Sequence, residues 1–569
     1  MTTDAAWNPA ERVRELSYRL VRWPSETGTP DEASFGEKLA GLLREIPYFQ
    51  DHTEDIALID SHGSPLTRSV VAVVRGSGRR TLALAGHYDV VSIGNYRDLA
   101  PLAFEPDQLR EALIADLSSR PLAPNEERAL ADFRGGDFIP GRGMLDMKSG
   151  VAAGIAVLEE FAAQEEREGN LILFVTPDEE RNSQGMRSLR RALPALTARW
   201  GLDIVAGINL DATSDQGDGA EGRAIYRGTI GKLLPFAFVI GQPSHASYPF
   251  EGISAHLIAA EIMRAIEANA ELCDRAGGEV SPPPICLEAR DFRGGYEVTT
   301  PERTWIAFNW LSHSRTPEEL FGVFRAKVQG ALSRALQHFN MQAERYAHYL
   351  GAAQPSGGQD ARVLTVSELL LELARVGGEA AVNRIKVLEA SLAGNDNPLQ
   401  LTRALVDAMV AEARVTGPTV IVGFGSLHYP HTHLDDARPS HRAFARALEA
   451  ARLATERELD THFKYRDYFT GISDMSFLGH ASREDDSRIV AANTPATRHI
   501  DGIVPDALSY PTVNIGPWGR EFHQRLERVH APYAFGILPH FLRAITREVL
   551  GPGSLPRLET SPSGVRGDA

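Results

Sequence analysis

The sequence predicts an α/β protein in which a second, smaller α+β domain is inserted into the first. Three observations lead to this prediction. The chain has 569 residues, which is too long for one ordinary domain. Short apolar runs rich in β-branched residues alternate with helical patterns, which is typical of a mixed, largely parallel sheet covered by helices. From about Ala224 the pattern changes, and the first pattern returns near residue 430.

The first domain begins with two amphipathic helical patterns in residues 10–46, separated by a loop with proline and N-cap residues. A helical pattern at 149–164 lies between two apolar runs and predicts a strand–helix–strand unit. The charged segment 98–137 predicts a helical insertion at the surface. Five apolar runs predict buried strands: SVVAVV (69–74), TLALAG (81–86), LILFVT (171–176), DIVAGINL (203–210) and PTVNIG (511–516).

The inserted domain is predicted from the strand-like runs LPFAFVIG, WIAFNWL and TVIVGF and from helical patterns at 254–270 and 316–337. A long helical stretch at about 340–415 belongs to it. The C-terminal segment is rich in Pro, Ser and Gly, which predicts a disordered tail. The predicted boundaries are 1–222 and 431–551 for the two parts of the first domain, 223–430 for the inserted domain and 552–569 for the tail.

Composition restricts the class of protein. Hydrophobic residues make up 43% and charged residues 24% of the chain, as in soluble globular proteins. The net charge of −16 argues against nucleic acid or an anionic membrane as partner. Two cysteines provide neither a disulfide framework nor a cysteine zinc site. A polar N-terminus and the lack of a membrane-length apolar run predict a cytoplasmic protein.

Histidine and acidic residues follow the predicted strands at the point where each strand ends. In open α/β sheets, ligands bind beyond the carboxyl ends of the strands. We therefore expect these side chains to meet at one edge of the sheet. They are His87 and Asp89 after TLALAG, Asp178, Glu179 and Glu180 after LILFVT, Asp211 after DIVAGINL, and His523 after PTVNIG, with Asp146 just before the helix at 149–164.

These residue types indicate a metal site. Histidine and carboxylate ligands suit zinc, manganese or cobalt, and adjacent carboxylates raise one another's pKa unless a cation lies among them. Taken singly, each residue has a structural explanation: a turn, a helix start or a packed core histidine. Their joint occurrence at strand ends favours ligands. With at least five candidate ligands among these residues, two ions bridged by one carboxylate are more natural than a single ion, and such pairs recur in aminopeptidases and phosphatases.

The same residues, in the same order, resemble the dinuclear zinc hydrolase family of aminoacylases, glutamate carboxypeptidases and succinyl-diaminopimelate desuccinylase. GQPSHASYPFEGISA (241–255) also resembles the start of that family's lid domain. The resemblance implies a zinc-peptidase-like catalytic domain and a lid that forms a homodimer. The matching motifs are GHYDVV (86–91), GRGMLDMKSG (141–150), TPDEERNSQGM (176–186), NLDAT (209–213) and GPWGREFHQRLERV (516–529).

The resemblance implies a ligand set for two divalent ions, zinc first and manganese or cobalt as alternatives. His87 and Asp211 would bind one ion. Glu180 and His523 would bind the other, and Asp146 would bridge the two. The peptide bond after Asp146 would be cis, as the resemblance suggests.

The resemblance also implies three catalytic residues. Asp89 would hydrogen-bond the far nitrogen of His87 and determine its tautomer. Glu179 would act as general base on the metal-activated water. His245, in the lid, would reach a catalytic centre, often the partner subunit's, and stabilise the oxyanion. Gly516 and Gly519 would let backbone approach the substrate.

Two departures bear on the function. FNWLSHSRTP lacks the family's acid–x–Arg pattern in the lid strand, and the insertions at 98–137 and 340–415 resemble the arginine-utilisation, RocB-like branch. The leading hypothesis is a two-metal hydrolase that cleaves an amide-type C–N bond in an N-acyl amino acid, short peptide or ureido compound. A citrulline-type ureido hydrolase, a non-catalytic binding protein on the same fold and an oligomerisation role for the inserted domain stay open.

Overall fold

The computed structural model describes residues 7–351, 361–392, 394 and 397–551, so the predicted tail at 552–569 lies outside the described residues. The chain divides into two compact units. The first runs up to Thr229 and also contains Thr432–Ala481 and the described residues from Val504 onward. The second contains Ile230–His431 and Ser482–Ile503.

The segment Ser482–Ile503 groups with the second unit, whereas the sequence analysis places it in the first domain. Its helix Glu484–Asn493 brings Val490 into the apolar core of the second unit. Such a contact joins segments that are far apart in the sequence, so no local pattern marks it.

The central element of the first unit is an eight-stranded mixed sheet. In order across the sheet, its strands are Ile56–Asp60, Arg68–Arg75, Glu168–Thr176, Ser77–His87, Asp203–Asn209, Thr512–Asn514, Ala224–Tyr226 and Lys464–Arg466. The Ser77–His87 strand is parallel to both of its neighbours, and Asp203–Asn209 is parallel to Thr512–Asn514. The carboxyl ends of these four strands therefore share one edge.

Helices cover this sheet. Leu82 and Leu84 of the central strand belong to one apolar core with residues of the helices Ala10–Val21, Ser149–Ala163 and Leu538–Leu550. The strand and helix predictions for this part of the chain are confirmed, with ends shifted by a few residues. The other helices of the unit are Pro30–Leu43, Pro47–Asp51, Thr53–Asp55, Gly94–Leu102, Pro106–Ser118, Pro124–Gly135, Met144–Lys148, Gln184–Trp200, Pro439–Leu459, Asp474–Ser476 and Pro532–Ile537.

A second, four-stranded sheet of the first unit consists of Phe138–Pro140, Arg528–His530, Trp518–Arg520 and Thr213–Ser214. Gly228–Thr229 pairs with Thr432–His433 in a short two-stranded ribbon. The predicted insertion at 98–137 is helical, as expected, and its helices form an apolar cluster that also contains Leu526.

The second unit has a six-stranded sheet that is antiparallel except where Arg362–Thr365 lies parallel to Thr419–Phe424. Its other strands are Gly231–Leu233, Pro235–Ile240, Ile285–Asp291 and Arg303–Ser312, with a small ribbon of Arg275–Ala276 and Glu279–Val280. Its helices are Pro249–Glu251, Ala255–Ile266, Ala270–Leu272, Pro317–Tyr349, Val366–Ser391, Pro398–Glu412, Glu484–Asn493 and Thr497–His499.

Helices cover both faces of this second sheet. Val420 and Val422 pack on the side of the Ala255–Ile266 and Pro317–Tyr349 helices, whereas Ile421 packs with Val366–Ser391 and Pro398–Glu412. The alternation follows from the two-residue period of a strand. Most of the helical stretch predicted at 340–415 therefore forms the cover of the second face.

The predicted fold class is confirmed: the chain is an α/β protein with a mixed sheet covered by helices and an inserted α+β domain. Within the described ranges, every helix is too short or too polar to cross a lipid bilayer.

Candidate metal centre

Two groups of histidine and carboxylate side chains meet at the carboxyl edge of the large sheet, and they share Asp146. His87, Asp146 and Asp211 form the first group, and Asp146, Glu180 and His523 form the second. Within each group the candidate ligand atoms lie within 4.8 Å of one another. We call these groups the first and the second cluster. The first cluster is buried, and the second is partly exposed.

The backbone explains how these side chains come together. His87 is the last residue of its strand, and Asp211 follows the next strand by two residues. Because the two strands are parallel neighbours, their ends lie side by side. Asn514, from the adjacent parallel strand, holds Asp211 at both backbone groups: its Oδ1 accepts from the Asp211 amide at 3.1 Å, and its Nδ2 donates to the Asp211 carbonyl at 2.9 Å.

Asp146 lies between the two histidines. Its Oδ1 is 3.2 Å from Nε2 of His87, and its Oδ2 is 2.9 Å from Nε2 of His523. Nε2 of His523 is also 3.1 Å from Oε1 of Glu180. Each carboxylate oxygen of Asp146 therefore faces a different cluster. The peptide bond between Asp146 and Met147 is cis, which confirms that prediction.

Glycines at this edge permit close backbone approach. A Cβ atom on Gly516 would lie 2.1 Å from the Asp211 carbonyl oxygen, and one on Gly150 would lie 2.4 Å from the Leu210 carbonyl oxygen. A Cβ atom on Gly519 would meet the Arg528 carbonyl oxygen at 2.1 Å. From the sequence we expect Gly516 and Gly519 to let the backbone approach the substrate. In the structure, the groups that come close to these two glycines belong to other segments of this chain.

Burial and charge shift the pKa values of these groups strongly. Burial raises the pKa of Asp211 to about 7 and raises the pKa of Glu180. Burial opposes ionisation of Asp146, but hydrogen bonds with His523 and His87 outweigh it and hold its pKa below the usual range. Burial lowers the pKa of His523, yet the hydrogen bonds with Asp146 and Glu180 raise it to about 11.

The side chains fit divalent cations. Buried carboxylates that face one another are unfavourable unless positive charge compensates them, which is the situation that the raised pKa of Asp211 reflects. The donors are imidazole nitrogens and carboxylate oxygens, the set that zinc, manganese and cobalt accept. Because Asp146 offers one oxygen to each cluster, two neighbouring ions fit the arrangement better than one.

The surroundings of His87 favour the tautomer that a metal ligand needs. Its Nδ1 lies 3.0 Å from the backbone carbonyl oxygen of Asp89, an acceptor only, so Nδ1 carries a proton, and Nε2 is the nitrogen that can bind a cation once it has lost its own proton. The carboxylate of Asp89 is farther away, with Oδ1 3.5 Å from that nitrogen. The contact that the resemblance implies between Asp89 and His87 is therefore made by the backbone carbonyl of Asp89, which is closer to Nδ1 than its carboxylate is.

The Asp89 carboxylate instead holds the acidic turn. Its Oδ1 accepts from the backbone amide of Glu179 at 3.0 Å, and its Oδ2 accepts from the amide of Glu180 at 3.2 Å. The hydroxyl of Thr27 donates to Oδ2 at 2.9 Å. Asp89 therefore orients both neighbouring glutamates through their backbone.

The three consecutive carboxylates have different surroundings. Asp178 has a left-handed φ of 63°, and its Oδ2 accepts from the Gln184 amide at the start of the next helix. Glu180 belongs to the second cluster. Glu179 lies beside the first, with Oε2 3.9 Å from Nε2 of His87, and burial raises its pKa well above the usual value. Of the three acids in this turn, Asp178 is structural, Glu180 is a candidate ligand, and Glu179 is a buried carboxylate next to the ligands.

His245 lies in the second unit, in an exposed turn where its Nδ1 accepts from the Ser247 amide at 3.1 Å. It forms an isolated bridge with Thr299. Its assignment to the oxyanion stays a prediction.

Two supporting residues, Ser473 and Glu527, are not predicted from the sequence, whereas Asp474 is expected to have a structural role near the site. Ser473 donates to Oδ2 of Asp211 at 2.8 Å, and its neighbour Asp474 accepts from the Thr176 hydroxyl at 2.7 Å. Glu527 is fully buried and accepts from the His523 amide at 3.2 Å. Glu527 lies in the motif GPWGREFHQRLERV, four residues after His523, and that position was the available signal. Ser473 lies in TGISDMSFLG (470–479), directly before the acid Asp474.

Comparisons with known proteins agree with this fold and site. Residues 121–478 match the model of peptidase family M20/M25/M40. The Bacillus subtilis protein YqjN is 29% identical over 541 residues, which cover 94% of this chain and 96% of YqjN. Protein RocB of the same organism is 27% identical over 554 residues, 95% of this chain and 96% of RocB.

Among solved structures, aminopeptidase PepT from Bacillus cereus has the same fold, with a TM-score of 0.52, 15% identity and coverage of 95% of this chain and 99% of PepT. The family match covers more than half of the chain and includes Asp146, Glu179, Glu180 and Asp211. The predicted resemblance is confirmed, and so is its RocB-like character. The chain therefore belongs to the M20/M25/M40 peptidase family of metal-dependent hydrolases.

Proposed function

We propose that this protein hydrolyses an amide-type C–N bond in a small polar substrate with the help of two divalent metal ions. One observation carries the proposal: the two oxygens of Asp146 face His87 and His523, so that two ligand clusters share one carboxylate. Membership in a hydrolase family supports the reaction class.

In this proposal the first ion is held by His87, Asp146 and Asp211, and the second by Asp146, Glu180 and His523. When bound, such ions polarise a scissile carbonyl and lower the pKa of water. Zinc is the favoured ion, and manganese and cobalt are the alternatives, because all ligands are nitrogen or oxygen donors.

Glu179 is the proposed general base. It is 8% exposed, lies next to the first cluster and is not among the ligands of either cluster in the described residues. A carboxylate so placed can take a proton from water and return it to the departing amine. Asp89 supports this role by holding the Glu179 amide, and Glu180, held by the same carboxylate, takes the ligand role.

The proposed substrate is an N-acyl amino acid, a short peptide or a ureido compound. The similarity to RocB over 95% of the chain favours a substrate of arginine metabolism, and a citrulline-type ureido group presents the same kind of C–N bond. A homodimer formed by the second unit, with His245 acting in the partner subunit, belongs to the same proposal, and light scattering tests it.

Release of amine or ammonia tests the function. The panel contains N-acyl amino acids, dipeptides and citrulline, each with zinc, manganese or cobalt. Glu179→Gln is the blank, since it preserves shape and hydrogen bonding but cannot accept the proton. Release from one class that is absent in the blank supports the proposal. Turnover by Glu179→Gln contradicts the base assignment, and a protein that binds substrate without any turnover favours the binding-protein alternative.

A further inference from the structure

We infer that the helical insertion of the first unit positions His523 and thereby sets the affinity of the second cluster for its ion. The insertion consists of Gly94–Leu102, Pro106–Ser118 and Pro124–Gly135, and we call it the brace. The stretch 518–528, which carries His523, is called the His523 segment. This inference rests on the proposed function, because it concerns one of the two proposed ion sites.

The His523 segment needs external support. His523 and Glu521 have φ values of 63° and 55°, in the left-handed region that residues with a side chain rarely adopt. The His523 side chain is 40% exposed, so packing of its own ring does little to hold it. A ligand in such a turn stays in place only if neighbouring groups determine the backbone.

The brace contacts the segment through an apolar core. Leu526 is buried in a cluster with residues of all three brace helices, including Tyr96, Leu113 and Phe133. Burial of a leucine side chain contributes to stability in proportion to the apolar area removed from water. The segment is therefore anchored three residues after His523.

Ion pairs connect the same two elements. Asp132 of the brace accepts from Arg520 at 2.6 Å and from Arg528 at 2.7 Å, on either side of His523. Asp116 accepts from Arg525 at 3.0 Å. A carboxylate that is shared by two guanidinium groups, as in Asp132, orients its partners more strictly than a single exposed pair does.

Two hydrogen bonds reach the backbone of His523 itself. Nδ2 of Asn95, in the brace, donates to the His523 carbonyl oxygen at 2.8 Å. Glu527 accepts from the His523 amide at 3.2 Å and from the Gly143 amide at 3.1 Å, so it joins the His523 turn to the loop that leads to Asp146. Arg142 pairs with Glu527 and also donates to Oδ1 of Asn95 at 2.9 Å.

The ion pairs around the His523 segment fall into three groups whose charges balance: Arg142 with Glu527, Arg525 with Asp116, and Arg520 and Arg528 with Asp132 and Glu521. Buried charges are tolerated when each has a partner, and they then favour one arrangement over others. These contacts thus place His523 opposite Asp146 and Glu180 before any ion binds. An insertion that served only as a solvated surface element would lack them.

The test measures the binding of Zn²⁺ and Co²⁺ to metal-free full-length protein by calorimetry and by elemental analysis. The variant is Asp132→Asn, and Asp116→Asn is the milder version in case the first fails to fold. Arg134→Gln is the matched control, since Arg134 lies on the same helix as Asp132, is exposed and donates to Ser118 within the brace. His523→Ala identifies the ion that depends on the second cluster.

We expect each aspartate variant to bind that ion about 10-fold more weakly, as substitutions behind a metal ligand do, while the other ion and the control are unchanged. The Co²⁺ absorption band lost in His523→Ala should weaken in both variants. Unchanged affinities in Asp132→Asn and Asp116→Asn overturn the inference, even if the metal-free proteins unfold at lower temperature. A wild-type protein that binds fewer than two ions overturns the proposed function, and the inference with it.

Discussion

The first and the second cluster differ in how the chain holds their ligands. His87 ends a central strand and is 2% exposed, and Asp211 is held by Asn514 of the neighbouring strand. His523 is 40% exposed, lies in a left-handed turn and accepts a hydrogen bond from Asn95 of the brace. Both clusters use the same carboxylate, Asp146.

This difference separates two ways of building a candidate metal site. At the first cluster the sheet itself determines the ligand positions, because parallel strands end side by side and their backbones are hydrogen-bonded. At the second cluster a loop delivers the ligand, so other segments must supply the rigidity. We therefore expect the first site to tolerate changes outside the sheet and the second to respond to them.

Removal of the shared carboxylate should have the largest effect. Asp146→Ala is expected to lose both ions and all measurable activity, because each oxygen faces one of the two clusters. Elemental analysis and the hydrolysis assay measure the result. Asp203→Asn, at the exposed start of a strand, is the control and should retain both ions. One ion retained at full occupancy in Asp146→Ala would contradict the bridging role.

Metal removal should distinguish the two clusters directly. With a chelator in excess, we expect the two ions to leave in two phases, the faster one from the second cluster because His523 is exposed and His87 is not. Stopped-flow absorption of the Co²⁺ protein follows both phases. In His523→Ala the fast phase should disappear. A single phase for both ions would show that the exposure of the ligand does not control release.

A substitution that removes a hydrogen bond to a ligand of the first cluster should weaken the first ion, as the brace variants should weaken the second. Ser473→Ala removes the hydrogen bond to Oδ2 of Asp211 and should weaken the first ion about 10-fold while the second is unchanged. Calorimetry with Zn²⁺ measures both sites. Ser476→Ala, at the end of the short helix that Ser473 caps, serves as control. If the affinities for both ions fell equally, Ser473 would not act on the first cluster alone.

The smallest expected effect concerns pH and the four-stranded sheet that flanks the His523 segment. Burial lowers the pKa of His530 to about 4, against about 6.5 in an unfolded chain. Between these values the unfolded state takes up the proton and the folded state does not. The free energy of unfolding should therefore fall as the pH falls from about 6.5 to about 4.

Denaturation of the metal-free protein at several pH values measures this dependence, and the difference between wild type and His530→Gln isolates it from other titrating groups. The variant should lose less stability on acidification. The stacking of His530 on Trp518, with ring centroids 4.6 Å apart, makes Trp518 fluorescence a suitable probe. Identical pH profiles would contradict the role of His530.

Much of the fold and of the candidate site could be predicted from the sequence, because the patterns that indicate them involve residues close together in the chain. Apolar runs such as TLALAG and DIVAGINL identify strands, and the polar residues that follow them identify an edge of the sheet. The ordered motifs identify the family. The sequence pattern places Ser482–Ile503 in the first domain, whereas its packing groups it with the second unit, because a short helix that joins a core through Val490 and Ile489 carries no local mark of the core it joins.

The sequence by itself determined the fold class, the family and which residues follow the buried strands, since periodicity and motif spacing depend on residues close together in the chain. Only the tertiary structure decided that the Asp89 carboxylate holds Glu179 and Glu180, that Ser473 supports Asp211, and that the helical insertion supports His523. The physical reason is distance along the chain. Asn95 and His523 are 428 residues apart in sequence, and a hydrogen bond between them leaves no trace in either local pattern.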